Sequence, residues 1–318
     1  MQILKISKLF INYCTNVKQL SNHTLRAYEI DLDSFIYFIG KNKDIEAINR
    51  NDFHDYLQYL FKACKLKQSS AKRRFACLKS LFQWLEYQEF INESPFRKAK
   101  ISIRLPGRIP KGLTIDEIKR LITTTHVQLG TGLDDADRRN WSQNRSYRLR
   151  QLIALASIQL LFATGIRVAE LCSITLDDLN LNDGIIKING KGDRERLVFL
   201  TGKSLIALLK SYLQVRSQYA PDHNFLIINT RGNPANTQYI RLLIIKTAKS
   251  AGIKRQITPH MFRHSTATHL LNNGMDIRFV QRLLGHQSIT TTQIYAQVNN
   301  SKLQEDLLSK HPLATLRL

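Results

Sequence analysis

Cysteine is scarce in this chain. Only Cys14, Cys64, Cys77 and Cys172 occur, with no C-x-x-C pair and no cysteine–histidine spacing suited to zinc. A zinc site is therefore not expected, and a reducing cytoplasm suits the composition. Isolated cysteines inside apolar patterns read as small core residues. Long hydrophobic runs are also missing: the longest, Leu152 to Ala163, is broken by Ser157 and Gln159 and is too short to cross a bilayer. Lys5 and Lys8 interrupt the apolar start, so no signal peptide is expected, and no membrane partner. There is no Walker-type glycine loop, acidic metal cluster, internal repeat or low-complexity tract. Neither ATP nor a metal is expected to be needed, and no cofactor follows from the sequence.

Acidic residues are few as well. Asp and Glu number 25 against 47 Lys and Arg, a formal charge of +22 over 318 residues. The excess is spread along the chain, 18 basic against 10 acidic residues in 1–105 and 29 against 15 in the remainder. A basic tail would concentrate it. A field of this kind attracts polyanions, nucleic acid first among them.

The length allows two domains with separate cores. In residues 1–95 apolar positions recur every three or four residues over Ile3–Cys14, Leu25–Ile39, Phe53–Cys64 and Phe75–Leu85, which predicts a helical bundle. Ser21 and Asn22 precede the second helix, Asn51 and Asp52 can cap the third, and Ser69 and Ser70 precede the fourth. From Arg97 to Gly112 six basic residues mix with prolines and glycines, which marks a basic linker. We divide the chain into a helical domain 1–104, a linker 105–113 and a second domain 114–318. Thr114 to Glu117 forms a capping box that opens the second domain. Polar residues 126–147 read as a long loop, with room for a short helical piece, and Leu149–Phe162 as a buried helix. Ile185–Ile188 and Leu197–Leu200 read as a hairpin, with Phe225–Ile228 as a short strand or bend nearby. Asp276 is a suitable N-cap for a helix over Ile277–Leu284, and Gly285 a suitable end.

Several polar residues stand out by their setting. His260 and Arg263 are three apart and would share a helix face, with Thr258 as cap and Pro259 at the first position. His260 then lies beside unpaired backbone N–H groups, a natural phosphate site. Arg167 follows Gly165 and an apolar helix, with Glu170 three residues on to brace its guanidinium. Lys191 sits between two glycines at the hairpin tip. His286 follows Gly285, and Tyr295 lies nine residues later. Singly, each has a plain reading: a surface histidine, an Arg–Glu helix pair, a solvated lysine, a half-buried tyrosine.

Together, in this order, Arg167, Lys191, His260, Arg263, His286 and Tyr295 resemble the catalytic set of the tyrosine recombinase, or phage integrase, family, with Xer-type members especially similar. The stretches Ala163–Leu171, Asn189–Leu200, Thr258–His264 and Leu283–Val298 carry the resemblance. It implies a mainly α fold: a helical, SAM-like N-terminal DNA-binding domain plus a mixed, mostly helical catalytic domain with a small antiparallel sheet. It implies Tyr295 as nucleophile, Arg167, Arg263 and His286 on the scissile phosphate, His260 as proton acceptor, Lys191 as general acid and Glu170 in support. Duplex DNA with specific recombination sites is the implied partner, cleaved through a 3′-phosphotyrosyl link and exchanged through a Holliday junction. A clamp of two domains would close on that duplex, and Lys62, Lys65, Lys67, Lys72, Arg73, Arg74 and Lys79 suit phosphate contacts, or else form a solvated basic face. Ser301–Gln304 reads as a capping box before an apolar stripe of Leu303, Leu307 and Leu308. The resemblance implies that this C-terminal helix docks on a neighbour in a homotetramer or heterotetramer on paired sites, whereas in an isolated monomer the stripe would fold back on its own core. A type IB topoisomerase-like enzyme and a non-catalytic DNA-binding protein on the same fold are the alternatives. The longer 126–147 region leaves open whether the chain serves a chromosome, phage, plasmid or transposon.

Overall fold

The structure is a computed structural model, and it describes residues 1–99, 101–104, 112–130, 141–190, 195–219, 222–285, 306–307 and 309–312. The chain forms two compact units, Met1–Arg108 and Ile109–Leu318.

The first unit is helical: α1 (Ile3–Asn16), α2 (Asn22–Ile39), a 3-10 turn at Ile45–Ala47, α3 (Arg50–Lys62), α4 (Gln68–Tyr87) and the short α5 (Phe96–Ala99). The predicted periodicity buries Phe10, Phe35, Phe53, Tyr56 and Phe82 in one core. Phe53 stands edge-on to Phe82 with centroids 5.2 Å apart, an arrangement aromatic quadrupoles favour. Ser21 caps α2 as expected. The other two starts differ. Asn49, not Asn51, caps α3, with Asp52 reaching back to the Asn49 N–H at 2.8 Å. α4 begins at Gln68 without any side-chain cap, so Ser69 and Ser70 lie inside it. Cys14 and Cys77 are core residues, but Cys64 is exposed.

In the second unit come α6 (Ile115–Gly130), α7 (Trp141–Thr164), α8 (Val168–Ser173), β1 (Leu179–Asn180), β2 (Ile185–Asn189), β3 (Glu195–Phe199), α9 (Lys203–Ser217), α10 (Thr237–Ser250), α11 (Pro259–Asn272) and α12 (Ile277–Leu284). The sheet is antiparallel in order β1-β2-β3, with Ile186 opposite Val198. The 126–147 region is not one loop: α6 runs on to Gly130 and α7 starts at Trp141, while 131–140 lie outside the described residues. Phe225 and Ile228 make isolated bridges, to Thr175 and Pro234, in place of a strand.

α7 is the axis of this unit. Every residue from Gln151 to Thr164 is buried, and α6, α9, α10 and α11 pack around it. Among the described residues no helix is long and apolar enough to cross a membrane. Leu307 is completely buried in this same core, and His311 beside it bonds the Phe162 carbonyl through Nε2 at 3.1 Å. Leu307 is thus filled within its own chain, because an apolar side chain beside an open core buries itself there. Leu303, Leu308 and the Ser301–Gln304 box lie outside the described residues.

Candidate active site

Four helix ends meet at the site. α7 stops where Gly165 takes a left-handed conformation, φ +64°. Thr164 Oγ1 donates back to the Leu160 carbonyl at 2.6 Å and closes the last turn. Two residues on, Arg167 starts α8, and the Glu170 carboxylate accepts its backbone N–H at 2.8 Å. α11 opens with Thr258 and Pro259, which set His260 and Arg263 on its first turns. α12 begins at Asp276, whose carboxylate accepts from the Arg278 N–H, and ends on Gly285, again left-handed at φ +64°.

The side chains divide into exposed and buried cations. Arg167 is exposed, and its Nη1 bonds Glu170 Oε1 at 2.8 Å. Arg263 is only 4% exposed. It donates to the carbonyls of Gly165, at 2.9 Å, and Leu284, which close α7 and α12. Helix C-termini carry partial negative charge, so a cation there is favoured. Burial, then repulsion from Arg167, brings the Arg263 guanidinium down to about 10. It therefore stays charged at neutral pH, and only two of its five N–H donors are committed to these bonds. His260 is exposed. Arg167, His260 and Arg263 line one cleft of about 680 Å³, together with Arg241, Gln256 and Thr258.

Glu170 is nine-tenths buried and receives four donors: Arg167 through N and Nη1, and Arg196 through Nη1 at 3.1 Å and Nη2 at 2.8 Å. Burial alone would raise its carboxyl, but the hydrogen bonds from Arg196 and Arg167 outweigh it and hold it below the ordinary carboxylate value. Sequence reasoning placed Glu170 beside Arg167 but gave Arg196 and Arg241 no role. Strand alternation offered a signal for Arg196, since it shares an inward register with the buried Val198. Nothing in the local pattern marked Arg241 on α10.

Of the other expected residues, Lys191, His286 and Tyr295 lie outside the described residues. On the first unit, Lys62, Lys65, Lys67, Lys72 and Lys79 are exposed. Arg73 and Arg74 bond to α2 and α3 instead. Arg73 bonds the Asp31 carboxylate at 2.5 Å, and Arg74 bonds Ser34 and Tyr56. Asp31 is completely buried, and an isolated carboxylate there would be costly.

Residues 112–302 match the phage integrase family and residues 8–89 its N-terminal SAM-like domain. A tyrosine recombinase of Agathobacter rectalis is 36% identical over 303 residues, covering 95% of both chains. Tyrosine recombinase XerD of Listeria innocua is 34% identical over 317 residues, covering 96% of this chain and 98% of its own. In fold the chain is similar to a lambda integrase tetramer bound to a Holliday junction, with TM-score 0.66, 16% identity, and coverage of 96% of this chain and 78% of that one. It is also similar to XerH bound to difH substrate, with TM-score 0.63, 24% identity, and coverage of 94% and 82%. The chain belongs to the phage integrase family, as a Xer-like tyrosine recombinase.

Proposed function

We propose that this protein cuts and rejoins duplex DNA at specific sites, with Tyr295 as the nucleophile. The observation that carries the reading is the convergence of Arg167, His260 and Arg263 on one cleft, with Arg263 held by two helix-end carbonyls. The Tyr295 phenol attacks the phosphorus and gives up its proton to His260. A 3′-phosphotyrosyl bond forms as the bond to the 5′ oxygen breaks, and Lys191 protonates that oxygen to a 5′-hydroxyl. Arg167 and Arg263 offer planar forks of donors to the non-bridging oxygens, where charge grows in the transition state. Such preorganised donors are typically worth about 10²–10³ in rate each. His286 adds a further bond. The phosphotyrosyl link conserves the energy of the broken diester, so a partner strand's 5′-hydroxyl can reverse the step without ATP. Two such exchanges, through a Holliday junction, recombine a pair of sites held by four protomers. The chain works in the cytoplasm.

The test uses a duplex selected from a randomised library by retention on the protein, then nicked so that cleavage traps the covalent adduct. Wild-type protein should give an adduct that survives denaturant, and Tyr295→Phe should bind equally but give none. An adduct formed by Tyr295→Phe would overturn the assignment.

A further inference from the structure

Arg196 lies outside every role assigned so far, yet it joins three parts of the site. Its two Nη atoms grip Glu170 end-on, and its Nε donates to the Leu283 carbonyl at 3.1 Å. Its side chain is 14% exposed, against 46% for Arg167. Gly285 packs directly on it: a Cβ there would meet its Cδ, Cζ and Nε at 3.4 Å. So one guanidinium ties β3, which follows Lys191 in the sequence, to the end of α12, which His286 follows, and to the carboxylate that holds Arg167. Three of its five N–H donors are bonded to protein, against one for the more exposed Arg167 guanidinium.

We infer that Arg196 is a positioning residue for the cleavage step: it fixes the Glu170 carboxylate, and through it sets the direction of the Arg167 guanidinium. The carboxylate has about four lone-pair sites and receives four donors, two from each arginine. If the Arg196 pair is lost, Glu170 can rotate about its last bond and Arg167 rotates with it. A displacement of about 1 Å in a group of this kind can cost on the order of 100-fold in rate. Lysine cannot replace the arginine, because a point charge cannot span both carboxylate oxygens and also reach Leu283.

The inference rests on the function proposed above, and a single experiment separates the two. The full-length protein is assayed on the selected nicked duplex, with adduct formation, duplex affinity and melting temperature all measured. An adduct from the wild type tests the function itself. Given that adduct, R196K and R196Q should each slow its formation by about 10–100-fold. Duplex affinity should change by less than about twofold, since Arg196 faces protein and not ligand. In an Arg167→Ala background, R196Q should add less than about a twofold loss, because both changes disable the same guanidinium. Wild-type speed in R196K overturns the inference. So does a loss in the double variant that equals the product of the single ones. Both variants break a buried ion pair and should melt earlier, so rates are compared well below the lower melting transition, and a rate loss that merely tracks the unfolded fraction overturns the inference.

Discussion

The Arg263 guanidinium donates to the Gly165 carbonyl at 2.9 Å, so a candidate phosphate-binding cation is also the clasp between α11 and the end of α7. Catalysis and architecture share one side chain. Arg263→Lys keeps the charge but cannot reach the Gly165 and Leu284 carbonyls together. Leaving a buried carbonyl without its donor costs about 1–3 kcal/mol. We expect R263K to melt at a lower temperature and to cleave about 10²–10³-fold more slowly. Calorimetry and the adduct assay on one preparation would reveal the shared role; wild-type melting in R263K would argue against the clasp.

Gly165 itself cannot take a side chain. Its φ is +64°, and a Cβ would stand 2.6 Å from Leu284 Cδ2. Gly165→Ala should cost about 1–2 kcal/mol for the left-handed backbone and about 1–3 more for repacking α12. Urea unfolding measures the sum, and a loss under about 0.5 kcal/mol would contradict the geometry.

His311 gives the second unit a dependence on pH. Burial lowers the imidazole to about 4, although its bond to the Phe162 carbonyl works the other way and His269 adds repulsion. The folded value lies below the ordinary value of 6.5, so the unfolded chain binds the extra proton between the two. Stability from this residue is therefore full above pH 6.5 and is lost as the pH falls toward 4, by roughly 3 kcal/mol at most. The gap in stability between wild type and His311→Gln should narrow on acidification over that window. A constant gap in pH-resolved denaturation would refute it.

On the first unit the basic residues should separate into two kinds. Lys72→Gln and Lys79→Gln should each reduce the slope of log affinity against log salt by about 0.9, because both are exposed. Asp31→Ala should act on folding instead. Arg73 is half-exposed and can turn to water, but the Arg74 side chain is 16% exposed and would lose its carboxylate. Breaking a buried pair costs about 3–5 kcal/mol, and the exposure of Arg73 brings our expectation to about 2–3. A salt titration and a melting curve for each variant distinguish the two behaviours.

What could be read from the sequence follows the range of the physics involved. The Thr114–Glu117 box forms as written, with the Glu117 N–H donating to Thr114 Oγ1 at 3.1 Å, because a cap needs only four neighbouring residues. Asp276 and Gly285 bound α12 for the same reason. Polar residues near 126–147 hid the end of α6 and the start of α7, since a stretch with few apolar residues shows no apolar period. Asn49 lies two residues before the expected cap of α3 because Asp52 completes its box from the third position. Arg196, Arg73 and Arg74 were harder still. Their partners Glu170 and Asp31 are 26, 42 and 43 positions away along the chain, and charge alone does not tell a phosphate ligand from a brace.

The burial of Leu307 in the second core, and of His311 against Phe162 of α7, bears on how the protein is made. The first unit, Met1–Arg108, has its own core and can close once its own residues have left the ribosome. The second cannot complete its core until Leu307 and His311 have been synthesised, roughly 200 residues later. At about 5–20 residues per second that is an interval of about 10–40 s. Throughout it, the nascent chain carries a folded basic helical unit while the Phe162 face of α7 still lacks its cover.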